Sequence, residues 1–119
     1  MNSNVAKYAL LAIKVLVALA FLAAGLAKLS GVQMMVGTFD QIGLGQWFRY
    51  ATGLIEVGGA ILLFLPGRQA IGAALLVATM IGAVLSHILI LGPSMVPALT
   101  LGVLAAVILI NHRDQLTGT

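Results

Sequence analysis

The stretch GLIEVGGAILLFLP, residues Gly53 to Pro66, decides how the rest of this chain is interpreted. Almost all of its residues are apolar or small, yet a glutamate, Glu56, lies within it. A carboxylate at bilayer depth is costly unless it is paired or protonated, so such a residue marks a functional site by default. The alternative is an acid that a lysine holds for packing specificity alone, because a buried ion pair is weak evidence for stability.

The composition of the whole chain is that of a membrane protein. Hydrophobic residues make up 61% of the 119 residues and charged residues 8%, which leaves too few polar side chains to cover a soluble domain. The net charge of +3 rests on few residues, so we expect contacts with anionic membrane lipids and no nucleic acid. The chain has no cysteine, which excludes disulfide exchange and iron–sulfur clusters as chemistries of its own.

Four apolar segments divide the chain, each near the roughly 20 residues that a spanning helix needs. We predict membrane spans at about residues 8–29, 46–65, 69–91 and 94–110. Short turns at Pro66-Gly67-Arg68-Gln69 and at Gly92-Pro93-Ser94 make the joined helices antiparallel neighbours. The predicted fold is therefore all-α, an integral membrane four-helix bundle that forms a single domain over residues 1–119.

The segment 30–45 is the only substantial connection between the predicted spans. Its apolar residues fall at spacings of three and four, which indicates a short amphipathic helix at the membrane interface, ended by Gly43. An irregular loop is the alternative, because the segment is short and contains Gly37.

Basic residues predict the orientation. Four spans place Lys7, Arg68 and Arg113 on one side, against Lys28 and Arg49 on the other. By the positive-inside rule, we expect both termini on the cytoplasmic side of the cell or inner membrane.

Polar side chains converge in the outer half of this bundle. Because side chains tilt toward the N-terminus of their own helix, Lys28 points into the membrane and Glu56 points back toward the outer face. Their depths differ by roughly 12–14 Å, which two long side chains can largely cover. We expect Lys28 and Glu56 to form a buried pair that binds a ligand or stabilises the bundle. His87 and Arg49 are further candidates, with an interfacial histidine and a lipid-headgroup anchor as their respective alternatives.

Small residues are spaced for close helix packing. Gly53, Gly58 and Gly59 lie beside Glu56, where they would let a neighbouring backbone approach. Two further stripes repeat every four residues: Ala78, Gly82 and Ser86, and Ala98, Gly102 and Ala106. With 14 glycines in the chain, chance occurrence is the alternative for all of these patterns.

In these same stretches the chain resembles the DoxX/DoxX-like family of small four-span membrane proteins. The resemblance lies in AAGLAKLSG, Ala23 to Gly31, and in GLIEVGGAILLFLP, where a glycine, a glutamate and a Gly-Gly follow at the family's spacing. It covers about the first half of the chain and the overall topology. The positions that carry over are Lys28, Gly53, Glu56, Gly58 and Gly59, whereas His87 and Arg49 do not.

The resemblance implies a class of function and leaves the reaction, and whether the chain is an enzyme, open. The family takes its name from a membrane subunit of thiosulfate:quinone oxidoreductase, so we expect an accessory or partner subunit of a quinone-linked redox system, with quinone as the candidate ligand. The alternatives are a non-enzymatic scaffold or chaperone and, third, a small-solute or proton permease. A protein partner or a homo-oligomer is expected. A lipid-open cavity lined by Lys28 and Glu56 would favour the first, and a solid core with a flat small-residue face the second.

No metal or haem site is expected within one chain. Of the two histidines, His87 lies near the outer end of the third span and His112 follows the inner end of the fourth. Their depths therefore differ by roughly 20–30 Å, most of a bilayer. Bis-histidine haem ligation needs both imidazoles at one depth. We predict a colourless, metal-free protein, with a dimer that pairs two copies of His87 as the alternative.

Overall fold

The computed structural model describes residues 3–92 and 94–117, which excludes Pro93 of the second predicted turn. Within these ranges the fold is all-α, as predicted, and contains no strand. The helices are α1 (Ser3–Ser30), α2 (Gln33–Ile42), α3 (Gln46–Leu62), α4 (Gln69–Ser86), α5 (Val96–Asn111) and α6 (Asp114–Thr117). Helix α4 continues into one π-helical turn, His87–Leu91, which we call the π-turn.

Two of the helices are long and apolar enough to cross a membrane, by length and composition. They are α1 and the continuous helix from Gln69 to Leu91. Helix α3 has 17 residues and α5 has 16. Helix α3 ends at Leu62, three residues before the predicted end of its span, because a turn that contains Gly67 at φ +78° already leads into α4.

The segment after α1 is an amphipathic helix, α2, and the irregular-loop alternative is wrong. Helix α2 ends at Gly43, whose φ of +82° is left-handed and whose N–H donates to the Phe39 carbonyl. The Phe39 ring is buried and meets the Phe48 ring of α3 edge-on, with centroids 5.8 Å apart. Helix α2 also contacts the π-turn. We call the end of the bundle that contains α2 and the π-turn the outer end, and the end with the α3–α4 turn and α6 the inner end.

The long helices cross at pairs of glycines. A Cβ atom added at Gly53 would lie 3.0 Å from the carbonyl oxygen of Gly25, where α3 crosses α1. A Cβ added at Gly72 would lie 2.7 Å from the carbonyl oxygen of Gly59, where α4 crosses α3. At Gly58 an added Cβ would meet nothing within 4 Å, so the prediction that Gly58 serves helix packing is wrong.

The apolar core lies mainly toward the inner end and in the middle of the bundle. Its fully buried members come from all four long helices and include Val17, Phe21, Ala60, Leu76 and Ile108. Outside this core, the outer end carries both of the buried charged residues that the described chain contains, Arg49 and Glu56.

Candidate functional site

Lys28 of α1 and Glu56 of α3 form a direct ion pair. The Lys28 Nζ atom lies 2.7 Å from Oε1 of Glu56, and the two side chains are 13% and 1% exposed. The pair is therefore buried within the bundle. Removal of either partner would leave a buried charge or polar group without compensation.

The end of α1 is built to leave Lys28 at this position. Gly31 adopts a left-handed φ of +74°, its N–H donates to the Lys28 carbonyl, and the Val32 N–H donates to the Ala27 carbonyl. This pair of hydrogen bonds is a Schellman motif, which ends the helix within one turn of Lys28. The left-handed backbone at the end of α1 thus explains why the last residue of AAGLAKLSG, Gly31, is a glycine.

Arg49 joins α3 to the same end of α1. Its guanidinium donates from Nη1 to the Lys28 carbonyl oxygen and from Nε to Oε1 of Gln46, the latter at 2.6 Å, and lies over the Tyr50 ring. Arg49 is only 5% exposed, whereas a headgroup anchor would face the lipid, so that interpretation of Arg49 is wrong. Arg49 instead holds the helix end that carries Lys28 against α3.

Gln46 extends this network to α2. Its Nε2 donates to Oδ1 of Asp40 at 2.8 Å and to the Val36 carbonyl at 3.1 Å, while its Oε1 accepts from Arg49. The outer ends of α1, α2 and α3 are therefore connected by side-chain hydrogen bonds. Nothing in the periodicity of the sequence singles out Gln46, because its partners lie on two different helices.

A partly enclosed cavity of about 390 Å³ lies in the outer half, next to the ion pair. Helices α2, α3 and α4 and the π-turn surround it, with apolar walls that include Met35, Phe39, Phe48, Ile55, Leu75 and Met80. Polar groups also line it: Lys28, Glu56, Thr38, Thr52, Thr79 and Ser86, together with His87. Its volume and its mixture of apolar walls and few polar groups are typical of small-molecule sites.

His87 reaches the cavity wall at the first residue of the π-turn. The turn closes with a hydrogen bond from the Gly92 N–H to the His87 carbonyl at 3.0 Å, five residues apart, and Gly92 takes a φ of +82°. Such π-helical turns occur frequently at functional sites. The structure thus places His87 in the same cavity as Lys28 and Glu56.

The stripe of Ala78, Gly82 and Ser86 does not pack against another helix, so this part of the packing prediction is wrong. All three residues line the cavity, and a Cβ at Gly82 would meet nothing within 4 Å. Their small side chains leave the space that the cavity occupies. The second stripe, Ala98, Gly102 and Ala106, lines an apolar groove of about 280 Å³ between α4 and α5.

Sequence reasoning missed the hydroxyl groups of the cavity. Thr52 lies one helical turn before Glu56 on α3, so the spacing of four residues could have placed it on the same helix face. Thr79 and Thr38 carried no comparable signal, because they reach the cavity only through the packing of α4 and α2. Across residues 3–92 and 94–117, no three His, Asp or Glu side chains are grouped so that they could hold a metal ion.

Comparison with known proteins identifies the family. Curated proteins and solved structures give no match to this chain. The family model described as the DoxX-like family matches residues 12–110, a range that contains the ion pair, Arg49 and the whole cavity. The protein is a membrane protein that belongs to the DoxX-like family.

Proposed function

We propose that the protein binds a quinone in the outer cavity, as an accessory or partner subunit of a membrane redox system. The observation that carries this proposal is the cavity of about 390 Å³ with the Lys28–Glu56 pair in its wall. A solid outer half would have favoured a purely structural role.

The residues present fit a quinone ring. Aromatic and sulfur-containing side chains, including Phe39, Phe48 and Met80, offer a polarizable apolar surface to a flat ring. The Lys28 ammonium offers hydrogen-bond donors to a ring oxygen, since its contact with Glu56 uses only one of its three N–H groups. The ring would lie with its polar edge toward the ion pair and its apolar tail toward lipid.

In this role the chain binds and orients the ring, and a partner subunit exchanges electrons with it. Reduction of a quinone consumes two protons along with two electrons, so the site also needs groups that hold and transfer protons. The Lys28–Glu56 pair and His87 are ionisable groups in the cavity wall and are assigned that task. Intramembrane ionisable residues commonly form such proton relays.

We further propose that the chain has four spans, with both termini in the cytoplasm and α2 on the opposite side of the inner membrane. The chain has no cysteine of its own, which makes single-cysteine labelling clean. A cysteine that replaces exposed Gln41 in α2 should react with a membrane-impermeant maleimide from outside the cell, and one that replaces exposed Arg68 should not. The opposite pattern would reverse the orientation.

Quinone binding is tested with two matched glycine substitutions. Gly82 lines the cavity and Gly58 does not, although a Cβ atom added at either position would meet nothing within 4 Å. We expect Gly82→Leu to weaken the binding of decylubiquinone by at least about tenfold, because leucine fills the site, and Gly58→Leu to bind like the wild type. The readout is quenching of Trp47, the chain's one tryptophan, whose ring contacts cavity-lining Phe48. Absence of binding in the wild type, or equal binding in all three proteins, would contradict the proposal.

A scaffold function is the second candidate, favoured by the groove between α4 and α5. The groove walls are apolar, and small residues at 98, 102 and 106 leave room for the close approach of one transmembrane helix of a partner protein. An Ala106→Leu substitution should then abolish co-purification of the partner and leave quinone binding unchanged. Loss of the partner in Gly82→Leu instead would assign docking to the cavity side.

A further inference from the structure

All four hydroxyl groups that line the cavity use their proton in a hydrogen bond within their own helix. Each of them donates its proton to a backbone carbonyl three or four residues earlier in its own helix. The donor–acceptor distances are 2.8 Å for Thr38, Thr52 and Ser86 and 2.9 Å for Thr79. A hydroxyl group has one proton and two lone pairs, so each of these oxygens offers only acceptor sites to the cavity.

The Glu56 carboxylate adds further hydrogen-bond acceptors to the cavity wall. An ionised carboxylate has about four lone-pair sites for hydrogen bonds. In the described ranges, 3–92 and 94–117, the Lys28 ammonium is the only charged or hydrogen-bonding partner of Glu56. Because Glu56 is 1% exposed, this carboxylate is a buried acceptor with unused capacity in the wall of a cavity.

Donors are fewer. The Lys28 ammonium has two N–H groups beyond the one that faces Glu56, and the His87 ring contributes one or two N–H groups according to its protonation state. The cavity therefore has an excess of acceptors over donors. A buried polar group left without its counterpart costs free energy, so the best ligand brings hydrogen-bond donors of its own.

We infer that the cavity selects the reduced, dihydroxy form of its ligand, a hydroquinone, over the oxidised quinone. This inference rests on the proposed function and specifies its ligand. A quinone has two carbonyl oxygens, which only accept, and among the described side chains that line the cavity only Lys28 and His87 carry N–H donors. A hydroquinone has two O–H groups, which can donate to Glu56 and to a hydroxyl oxygen such as that of Thr52, while its oxygens still accept from Lys28.

The preference has a consequence for electron transfer. A site that binds the reduced form more tightly raises the reduction potential of the bound quinone, by about 30 mV for each tenfold difference in affinity. Bound quinone is then a better electron acceptor than quinone free in the bilayer. The site accordingly fits a partner that delivers electrons to quinone, and disfavours one that withdraws them from hydroquinone.

The test compares three probes with the same ring and tail on the full chain in lipid nanodiscs. They are decylubiquinol, kept reduced without oxygen, decylubiquinone, and the dimethyl ether of decylubiquinol, which has no O–H group. Titration calorimetry against empty nanodiscs gives each affinity. We expect the quinol to bind at least about tenfold more tightly than the quinone, as for one added hydrogen bond to a charged acceptor, and the ether to bind no better than the quinone.

Variants of Thr52 tie the preference to the cavity. Thr52→Val removes an acceptor and keeps the side-chain shape, whereas Thr52→Ser keeps the acceptor. The quinol-to-quinone affinity ratio should fall in Thr52→Val and return in Thr52→Ser. Since the Thr52 hydroxyl bonds only within its own helix, neither change threatens the fold.

The outcomes separate this inference from the proposed function. If the quinone binds as tightly as the quinol or more tightly, the inferred selectivity is wrong and the quinone site remains. If the ratio is the same in wild type and Thr52→Val, the hydroxyl oxygens do not set it and the inference is again wrong. If none of the probes binds, the proposed function itself is wrong.

Discussion

Along α4, the glycines of the inner and outer halves of this bundle serve opposite purposes. In the inner half, Gly59 and Gly72 bring two backbones into contact and leave no space for even one added methyl group. In the outer half, Gly82 faces open space and lines a cavity of about 390 Å³. On α4, the same residue type thus closes the crossing with α3 in the inner half and leaves space for the cavity in the outer half.

Polar groups follow the same division. The outer half contains the Lys28–Glu56 ion pair and four hydroxyl groups that line the cavity. It also contains Arg49 and Gln46, whose hydrogen bonds join the outer ends of α1, α2 and α3. The inner half ends in one polar cluster outside the bundle core, where Gln115 joins α6 to the start of α4. Under the proposed function, the inner half provides stability, and the polar groups and empty volume of the outer half reduce stability in exchange for a ligand site.

The substitutions that should cost the most stability remove the ion pair of the outer half. Lys28→Met and Glu56→Gln should each lower the free energy of unfolding by about 1–4 kcal/mol, because each leaves a polar partner buried alone. The loss is smaller in Glu56→Gln if the unpaired lysine reaches the membrane interface. The double variant should lose less than the sum of the two. Unfolding by SDS from mild detergent measures this, with exposed Lys7→Met as the control. Additive losses would show that the pair contributes no coupling.

The next largest loss of stability is expected in the inner half, at the crossing of α3 and α4. Gly72→Ala places a Cβ 2.7 Å from the Gly59 carbonyl oxygen and 2.8 Å from Cβ of Leu62, so α3 and α4 must separate. We expect a loss of about 1–3 kcal/mol from this overpacking. Gly58→Ala, where the methyl group meets nothing within 4 Å, is the matched control and should be neutral or stabilising. Equal thermal unfolding of the two variants would refute the close crossing.

A smaller effect concerns the polar cluster at the inner end. The Gln115 side chain accepts from the Ala70 N–H at 2.9 Å and donates to Oε1 of Gln69 at 2.6 Å, and so caps the first turn of α4 from α6. Gln115→Ala should cost about 0.5–2 kcal/mol, as for other lost N-caps. Gln115→Glu keeps the acceptor and should retain most of the stability. Quinone affinity, set in the outer half, should not change in either variant.

The smallest effect is a pH dependence at His112, which follows the end of α5. Burial, and then the positive charge of Lys14, lower the pKa of His112 from its usual value, while Asp114 opposes this. The folded chain therefore binds fewer protons here than the unfolded chain, so stability falls as the pH drops below the ordinary histidine pKa, near 6.5. The decline ends below the folded pKa. His112→Gln should remove this part of the pH profile, and an unchanged profile would count against the assignment.

Periodicity and composition were enough to predict helices α1 to α5 and the close packing at Gly53 and Gly59, because those features depend on local pattern. The partners Gly25 and Gly72 were missed, since a crossing point depends on the register between two helices. The cavity was likewise invisible in the sequence. Ala78, Gly82 and Ser86 have the spacing of a packing stripe, and only the position of α2 and the π-turn leaves that face without a helix against it.

Arg49 shows the same limit for the polar site. Its neighbours Trp47 and Tyr50 are typical of a membrane interface, yet its guanidinium is buried against the carbonyl of Lys28. That contact also depends on where α1 ends and how its last turn meets α3, which the pattern around Arg49 does not contain. Local pattern located the charged residues, and tertiary geometry decided which of them meet.

The most direct test of a ligand site in the outer half is photoaffinity labelling with an azidoquinone, followed by peptide mapping. Residues 48–56 of α3 contribute to the cavity and not to the α4–α5 groove, whereas residues 98–106 of α5 contribute to the groove and not to the cavity. We predict label on the α3 peptide, competed by decylubiquinone and lost in Gly82→Leu. Label confined to the α5 peptide, or spread evenly over all helices, would contradict the account.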